Sequence, residues 1–297
     1  MARFQCGNNA CLHVDGTLTT LWLHDTVTPT KQNTTAMDNN TATLIRQLAD
    51  KYETADFLAA DPSRFMHSVE GDTNRETTAF VASVLSYGSR KQFFPKIQRI
   101  IDFAGGDVDR WVRSGAFAAD IPDTSDCFYR LYTNHTMLAF LTALRRLLCD
   151  YGSLREFARA ALAAADGVVR QGTCRDALVV VAALCRHFAE HGSVGVVPKD
   201  TTSACKRVCM FLRWMVRDAS PVDLGLWSDI IDKRTLVMPM DTHVVSEAVR
   251  LGLLPRKGAS MATARRLTTT MRTVFPDDPL KGDFALFGLG VDTEAGA

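Results

Sequence analysis

Lys206 and Asp241 are the two residues in this chain whose types and setting suit covalent chemistry at an electrophilic carbon. Lys206 opens a run in which Val208, Phe211, Leu212, Met215 and Val216 recur with the spacing of an amphipathic helix. Thr201, Thr202 and Ser203 stand just before it as N-cap candidates. The lysine is thereby expected in a first helical turn, at the positive end of the helix dipole and beside Arg207, and both neighbours disfavour an ammonium. An amine that gives up its proton readily is what a Schiff-base nucleophile requires. Asp241 opens a second periodic run, closed by Gly252, and is placed to cap its helix. A carboxylate brought near the amine could orient a water or stabilise a developing cation, so two ionisable groups would take two different jobs. Each residue also has a plainer role: a solvated lysine, and an aspartate that only caps.

The elements that must position this pair read as helices. Thr41 to Phe57, Arg75 to Leu85, Ile100 to Phe103, Trp111 to Phe117, Phe128 to Tyr132, Met137 to Leu148, Leu154 to Ala164, Ala177 to Phe188, Ala262 to Val274 and Phe275 to Gly290 are apolar-rich segments of helical character. Gly88, Gly105-Gly106, Pro122, Gly152, Gly167, Gly192 and Gly252 punctuate them. Trp227 to Ile231 reads as a short helical insertion between the lysine and aspartate halves, and Gly288 and Gly290 as points of close approach. Short β-rich runs such as Val194 to Val197 are too few for a sheet, so the expected fold class is all-α. Residues 1–36 are threonine-rich and aperiodic, which predicts a poorly ordered leader with Met37 as the biological start. Residues 37–293 form the helical domain, with room for two subdomains and a cleft between them, and residues 294–297 are a polar tail.

Composition bounds the function classes. The chain has 297 residues, of which 46% are hydrophobic and 23% charged, and a formal net charge of +1. That balance carries no global basic bias, so a nucleic-acid partner would need a local patch. Arg90, Lys91, Lys96 and Arg99, interleaved with Phe93 and Phe94, form one such cluster. No apolar run reaches membrane-spanning length and no secretory leader is visible, which places the protein in the cytoplasm. The eight cysteines lack CxxC spacing; they read as reduced, buried thiols with no metal site. His135, His187 and His191 read as surface or core histidines.

Four blocks carry a family likeness: Lys206-Arg-x-x-Met-Phe-Leu-Arg-Trp-Met-Val-Arg217, Val222-Asp-x-Gly-x-Trp227, Pro239-x-Asp-Thr-His243 and Asp278-Pro-x-Lys-x-Asp-Phe-Ala-Leu-Phe-Gly-Leu-Gly290. With them the chain resembles, from about residue 38 to 293, a bacterial family known as a domain of unknown function. A remoter likeness rests on the order of parts. An early helix from Glu76 to Ser86, then Lys206, then Asp241 with His243 after an interval of 35 residues is similar to the helix-hairpin-helix DNA glycosylases of the archaeal oxidised-guanine type. Two features of such enzymes are missing. Lys199 to Ser203 has no glycine where they carry a Leu-Pro-Gly-x-Gly hairpin, and no four-cysteine cluster is present.

That second likeness implies a two-subdomain helical fold, DNA as partner, no cofactor, and a lesion-processing glycosylase with lyase activity. Lys206 would form an imine with a flipped nucleotide and Asp241 would stabilise charge on its sugar. Arg207, Arg213, Arg217, His243 and Trp214 become the expected nucleic-acid contacts, with Trp227 a second stacking candidate. The competing reading is a non-catalytic nucleic-acid-binding or assembly module of the same fold, favoured by the missing glycines and the near-neutral charge.

Overall fold

The computed structural model describes residues 37–166, 175–193 and 195–295. The expectations for residues 1–36 and for Met37 as a start therefore concern a segment outside the described residues, as do Gly167, Val194, Cys6, Cys11 and Cys174. The chain is built of α-helices joined by short turns, in keeping with the all-α expectation.

Two helices form the centre. Helix α3 (Asp72–Leu85) and helix α10 (Lys206–Val216) pack on each other, with Phe80 and Phe211 in edge-on contact at 5.0 Å. Both are more deeply set than their amphipathic spacing predicts. From Phe211 to Val216 every residue of α10 is buried, and α3 is buried at every position from Glu76 onward. A helix covered on all sides belongs at the centre of a core. Around α3 lie α2 (Arg64–His67), α4 (Arg90–Phe103), α5 (Val108–Ser114) and α8 (Leu154–Asp166), while α7 (Asn134–Tyr151) and α9 (Ala177–Glu190) extend the layer past α8 and α10.

A second set completes the molecule. Helix α1 (Asn39–Tyr52), capped by Asp38, lies along α13 (Lys281–Ala295), which also packs on α11 (Thr242–Arg250). Gly288 and Gly290 permit both contacts, as expected: a Cβ on Gly288 would overlap the Tyr52 ring, and one on Gly290 would sit 2.6 Å from His243 Cβ. Helices α6 (Phe117–Asp120) and α12 (Met261–Arg272) fill the remaining flanks, and α13 continues as helix to Ala295.

Local chemistry overrides the sequence expectation in several places. Helix α1 stops at Tyr52 and a 3-10 turn over Ala55–Ala60 follows. Trp227 to Ile231 is a set of turns rather than a helix. Phe128 to Tyr132, expected as helix, is instead an antiparallel hairpin of β1 (Cys127–Tyr129) and β2 (Tyr132–Thr133). A short apolar run fits either period, and the aromatic side chains favour the strand. Among the described cysteines Cys185, Cys205 and Cys209 are buried, whereas Cys127 and Cys149 are exposed, contrary to expectation. His187 is a core histidine bonded to the Ala143 carbonyl, and His135 is exposed beside Asp123. No helix among the described residues is long and apolar enough to cross a membrane.

Candidate active site

Lys206 is the first residue of α10, but none of the three expected N-caps precedes it directly. Cys205 holds that place with φ +46° and no capping side chain. The start of the helix is fixed from outside instead. Ala204 N–H donates to the Ala259 carbonyl at 3.1 Å, and Ser203 bridges to Ser260, the residue that caps α12. Asp241 arrives on an extended, buried strap. Leu236 to Met238 pack into the core, Met238 N–H donates to Thr268 Oγ1 at 2.9 Å, and Asp241 then caps α11 by accepting from His243 N–H at 2.9 Å.

These two helix starts bring the pair together: Lys206 Nζ donates to Asp241 Oδ2 in a short, direct ion pair. The contact is neither surface nor core, with side-chain exposures of 32% for the lysine and 17% for the aspartate. Burial pulls the Asp241 pKa upward, but the adjacent Lys206 charge, its hydrogen bond and the His243 backbone N–H more than offset that, so the carboxyl is held below its usual range. A lysine paired to an ionised carboxylate and reachable from water becomes a nucleophile only once it has given up a proton and left that carboxylate.

The other expected site residues divide into two groups. His243 stays at the pair; its ring meets Phe287 edge-on at 5.6 Å, and Nε2 lies 3.6 Å from the Glu294 carboxylate. Arg207 is half-buried and turned toward the hairpin, donating to the Val84 carbonyl at 2.7 Å and to Tyr132 Oη. Arg213, Arg217 and Trp214 are placed quite differently, inside the protein. Arg213 pairs with Asp283 at 2.5 Å and Asp223 at 3.3 Å; Arg217, 1% exposed at its side chain, pairs with Asp223, Glu53 and Asp278 at 2.5, 2.7 and 2.8 Å. Both guanidiniums lie against the Phe284 ring. Burial opposes their charge and the surrounding carboxylates restore it, so both hold their protons more tightly than a free arginine. They are committed to carboxylates and not free to meet a phosphate. Trp214 is fully buried with no partner for its indole N–H among the described residues, and Trp227 is equally buried with its N–H on Glu76 Oε1 at 2.8 Å, so neither offers a face for stacking.

Several further features lie outside the sequence expectations. A groove of about 120 Å³, lined by Tyr52, Phe57, Arg90, Phe287 and Asp292 among others, shares Phe287 with His243. A larger cavity of about 180 Å³ lies by Arg175, Asp218, Lys233 and Arg234, away from the pair. Its Lys233 and Arg234 are already paired, at 2.6 Å each, to Asp218 and Asp232. Glu76, which began the early helix of the glycosylase likeness, is a buried carboxyl pushed up to about 7 by its burial. Among the described residues no group of three or more His, Cys, Asp or Glu side chains is arranged to hold a metal ion.

No curated protein and no solved structure matches the chain significantly. The model of one family, described as a protein of unknown function (DUF2400), matches residues 61–292, a span that takes in the hairpin, the Lys206 turn, the Asp241 strap and most of α13. The chain belongs to the DUF2400 family.

Proposed function

We propose that this protein is a lesion-processing DNA glycosylase with lyase activity, working through an imine at Lys206. The observation that carries the reading is the direct contact of Lys206 Nζ with Asp241 Oδ2, made by two helix starts far apart in sequence. Lys206 leaves Asp241 and gives one proton to water; the neutral amine then forms a bond to C1′ of a nucleotide taken out of the stack, while the bond from C1′ to the base breaks and its electron pair leaves with the base. The nitrogen gives up one proton, the C1′–O4′ bond breaks with its electron pair on O4′, and O4′ takes up a proton, leaving a protonated imine between Lys206 and C1′. Removal of a C2′ proton then expels the 3′ phosphate by β-elimination. Asp241, ionised throughout the neutral range, stabilises positive charge on the sugar as the base departs. The aromatic groove that shares Phe287 with His243 is the space this reading gives to a displaced base.

A non-catalytic nucleic-acid-binding or assembly module is the second reading, and one observation favours it. In the place of the glycine hairpin, Asp200 accepts from Thr202 N–H at 2.9 Å, so a carboxylate stands where a phosphate would be held. Borohydride trapping separates the two. Duplexes carrying an abasic site or an oxidised guanine should yield a covalent protein–DNA adduct that Lys206→Ala abolishes. Absence of any adduct across the lesion panel, with wild type and variant alike, would leave the non-catalytic module.

A further inference from the structure

The residue that joins the loop to Lys206 is held in an unfavourable conformation. Cys205 has φ +46° and ψ +37°, a left-handed region that residues other than glycine enter at a cost. Its sulfur lies 3.9 Å from that of Cys185, which sits within α9, and both thiols are free. Both residues are buried, at 2% and 0% exposure. A buried thiol commonly acts as a small core hydrophobe. Packing alone requires neither the contact of two sulfurs nor the strained backbone that carries one of them.

The two sulfurs are not equivalent. Cys185 is fixed by the hydrogen bonds of a regular helix, whereas Cys205 precedes the first turn of α10, where the helix dipole favours a thiolate. A hydrogen bond from Cys185 draws the Cys205 thiol below its usual range against the opposing effect of burial, and the Ser203 hydroxyl, 3.7 Å away, adds to the lowering. The same bond, together with burial, pushes Cys185 up. A nucleophilic thiol beside a second thiol able to resolve it is the arrangement of a redox-sensitive pair. Cys209, one turn further along α10, donates to the Ala204 carbonyl at 3.5 Å, and among the described residues these thiols form no group arranged to hold a metal ion.

We infer that a small peroxide oxidises Cys205 and Cys185 to a disulfide, and that closing this bond shifts the first turn of α10 and separates Lys206 from Asp241. The Cys205 thiolate attacks one oxygen of hydrogen peroxide; the O–O bond breaks and its electron pair leaves as hydroxide, which takes up the proton that Cys205 had lost. The resulting sulfenic acid is attacked by the Cys185 sulfur, and its oxygen departs as water with the Cys185 proton. Two thiols are oxidised and one peroxide is reduced to two waters. Bonded sulfurs stand about 2.0 Å apart, so the pair must close by roughly 1.9 Å from its present 3.9 Å. Cys205 is the freer partner, because its N–H is tied only to Ser203 Oγ, at 3.4 Å. Lys206 follows directly and moves with it, whereas Asp241 is fixed separately through Met238 and its own cap of α11. The switch acts on the lysine itself and is independent of the substrate that Lys206 meets.

The test treats the reduced full chain with hydrogen peroxide, blocks remaining thiols by alkylation and maps peptides by mass spectrometry. A Cys185–Cys205 cross-link should form, disappear with dithiothreitol and be absent from Cys205→Ser and Cys185→Ser. Acetylation of Lys206 by acetic anhydride, read in the same peptides, should rise on oxidation by roughly two- to fivefold, the factor that a partly exposed ion pair is worth. Sulfinic acid without a cross-link, no oxidation of either thiol, or a cross-link from Cys205 to any other cysteine would overturn the pair. A Cys185–Cys205 cross-link with Lys206 labelling unchanged would overturn its hold on the lysine. Circular dichroism should be the same before and after oxidation; loss of helix would replace a local switch with general unfolding and so overturn it.

Discussion

One face of helix α10 carries cations with two different fates. Toward its C-terminal end, Arg213 and Arg217 are enclosed by Glu53, Asp223, Asp278 and Asp283, with almost no contact with water. At its first turn, Lys206 meets a single carboxylate and keeps a third of its side chain exposed. The difference is one of depth, since the helix enters the core as it proceeds. An arginine saturated with carboxylates specifies structure and holds its charge; a lysine with one partner and an open side can leave that partner for a substrate. Electrostatic continuity joins the two ends, because Asp283, partner of Arg213, also feels the charge of Asp241.

The buried end can be broken most severely. Arg217→Met would leave Asp223, Asp278 and Glu53 without their shared cation, and a broken buried ion pair costs about 3–5 kcal/mol. Urea unfolding should show a loss of that size; a loss near zero would mean that the cluster is no pillar of the fold. Next comes a carboxyl that is buried without a salt-bridge partner among the described residues. Glu76, raised by burial from 4.5 to about 7, binds its proton more tightly in the folded state. Its stabilising contribution is therefore complete below about pH 4.5 and is lost as the pH rises to about 7, on the order of 3 kcal/mol. Glu76→Gln should flatten that part of the stability profile relative to wild type, and parallel profiles would refute the shift.

The exposed end should respond mildly in stability and strongly in chemistry. Asp241→Ala removes both the ion pair and the α11 cap, for about 1 kcal/mol, whereas Asp241→Asn keeps a capping oxygen and should lose less. Asp241 has the opposite pH signature to Glu76: its carboxyl is lowered, so its contribution is present above the ordinary value near 3.8 and is lost as the pH falls below it. Lys206→Ala should cost under about 1 kcal/mol, as half-exposed pairs usually do, while abolishing the borohydride adduct. A variant that lost both adduct and fold would erase the contrast between the two ends.

Much of this arrangement was legible in the sequence, and the failures have physical causes. Periodicity located α10 and placed Arg213 and Arg217 on the side of Lys206. It could not give their depth, because the carboxylates that enclose them come from positions 53, 223, 278 and 283, brought together only by the fold. Asp241 was readable as a cap because capping is local, but the cap of α10 was not, because Ser203 and Ala204 are tied to residues 260 and 259 and the chain then enters the helix through the left-handed Cys205. The hairpin was missed although Phe128-Tyr-Arg-Leu-Tyr132 is aromatic-rich and follows the Pro122 break, two strand signals outweighed by the helical character of its neighbours. Arg130 and Leu131 share that cause: they form the tip of the hairpin, and a short apolar run around them fits either period.

The bond from the Trp227 indole N–H to Glu76 Oε1 gives the molecule an optical sense of its own protonation. A full negative charge arriving at the pyrrole side of a buried indole lowers the energy of its emitting state. The emission of Trp227 should therefore move to longer wavelength as Glu76 ionises near neutral pH, and Glu76→Gln should silence that change. The core would then report, without any added dye, how each substitution at either end of α10 alters the field at the centre of the protein.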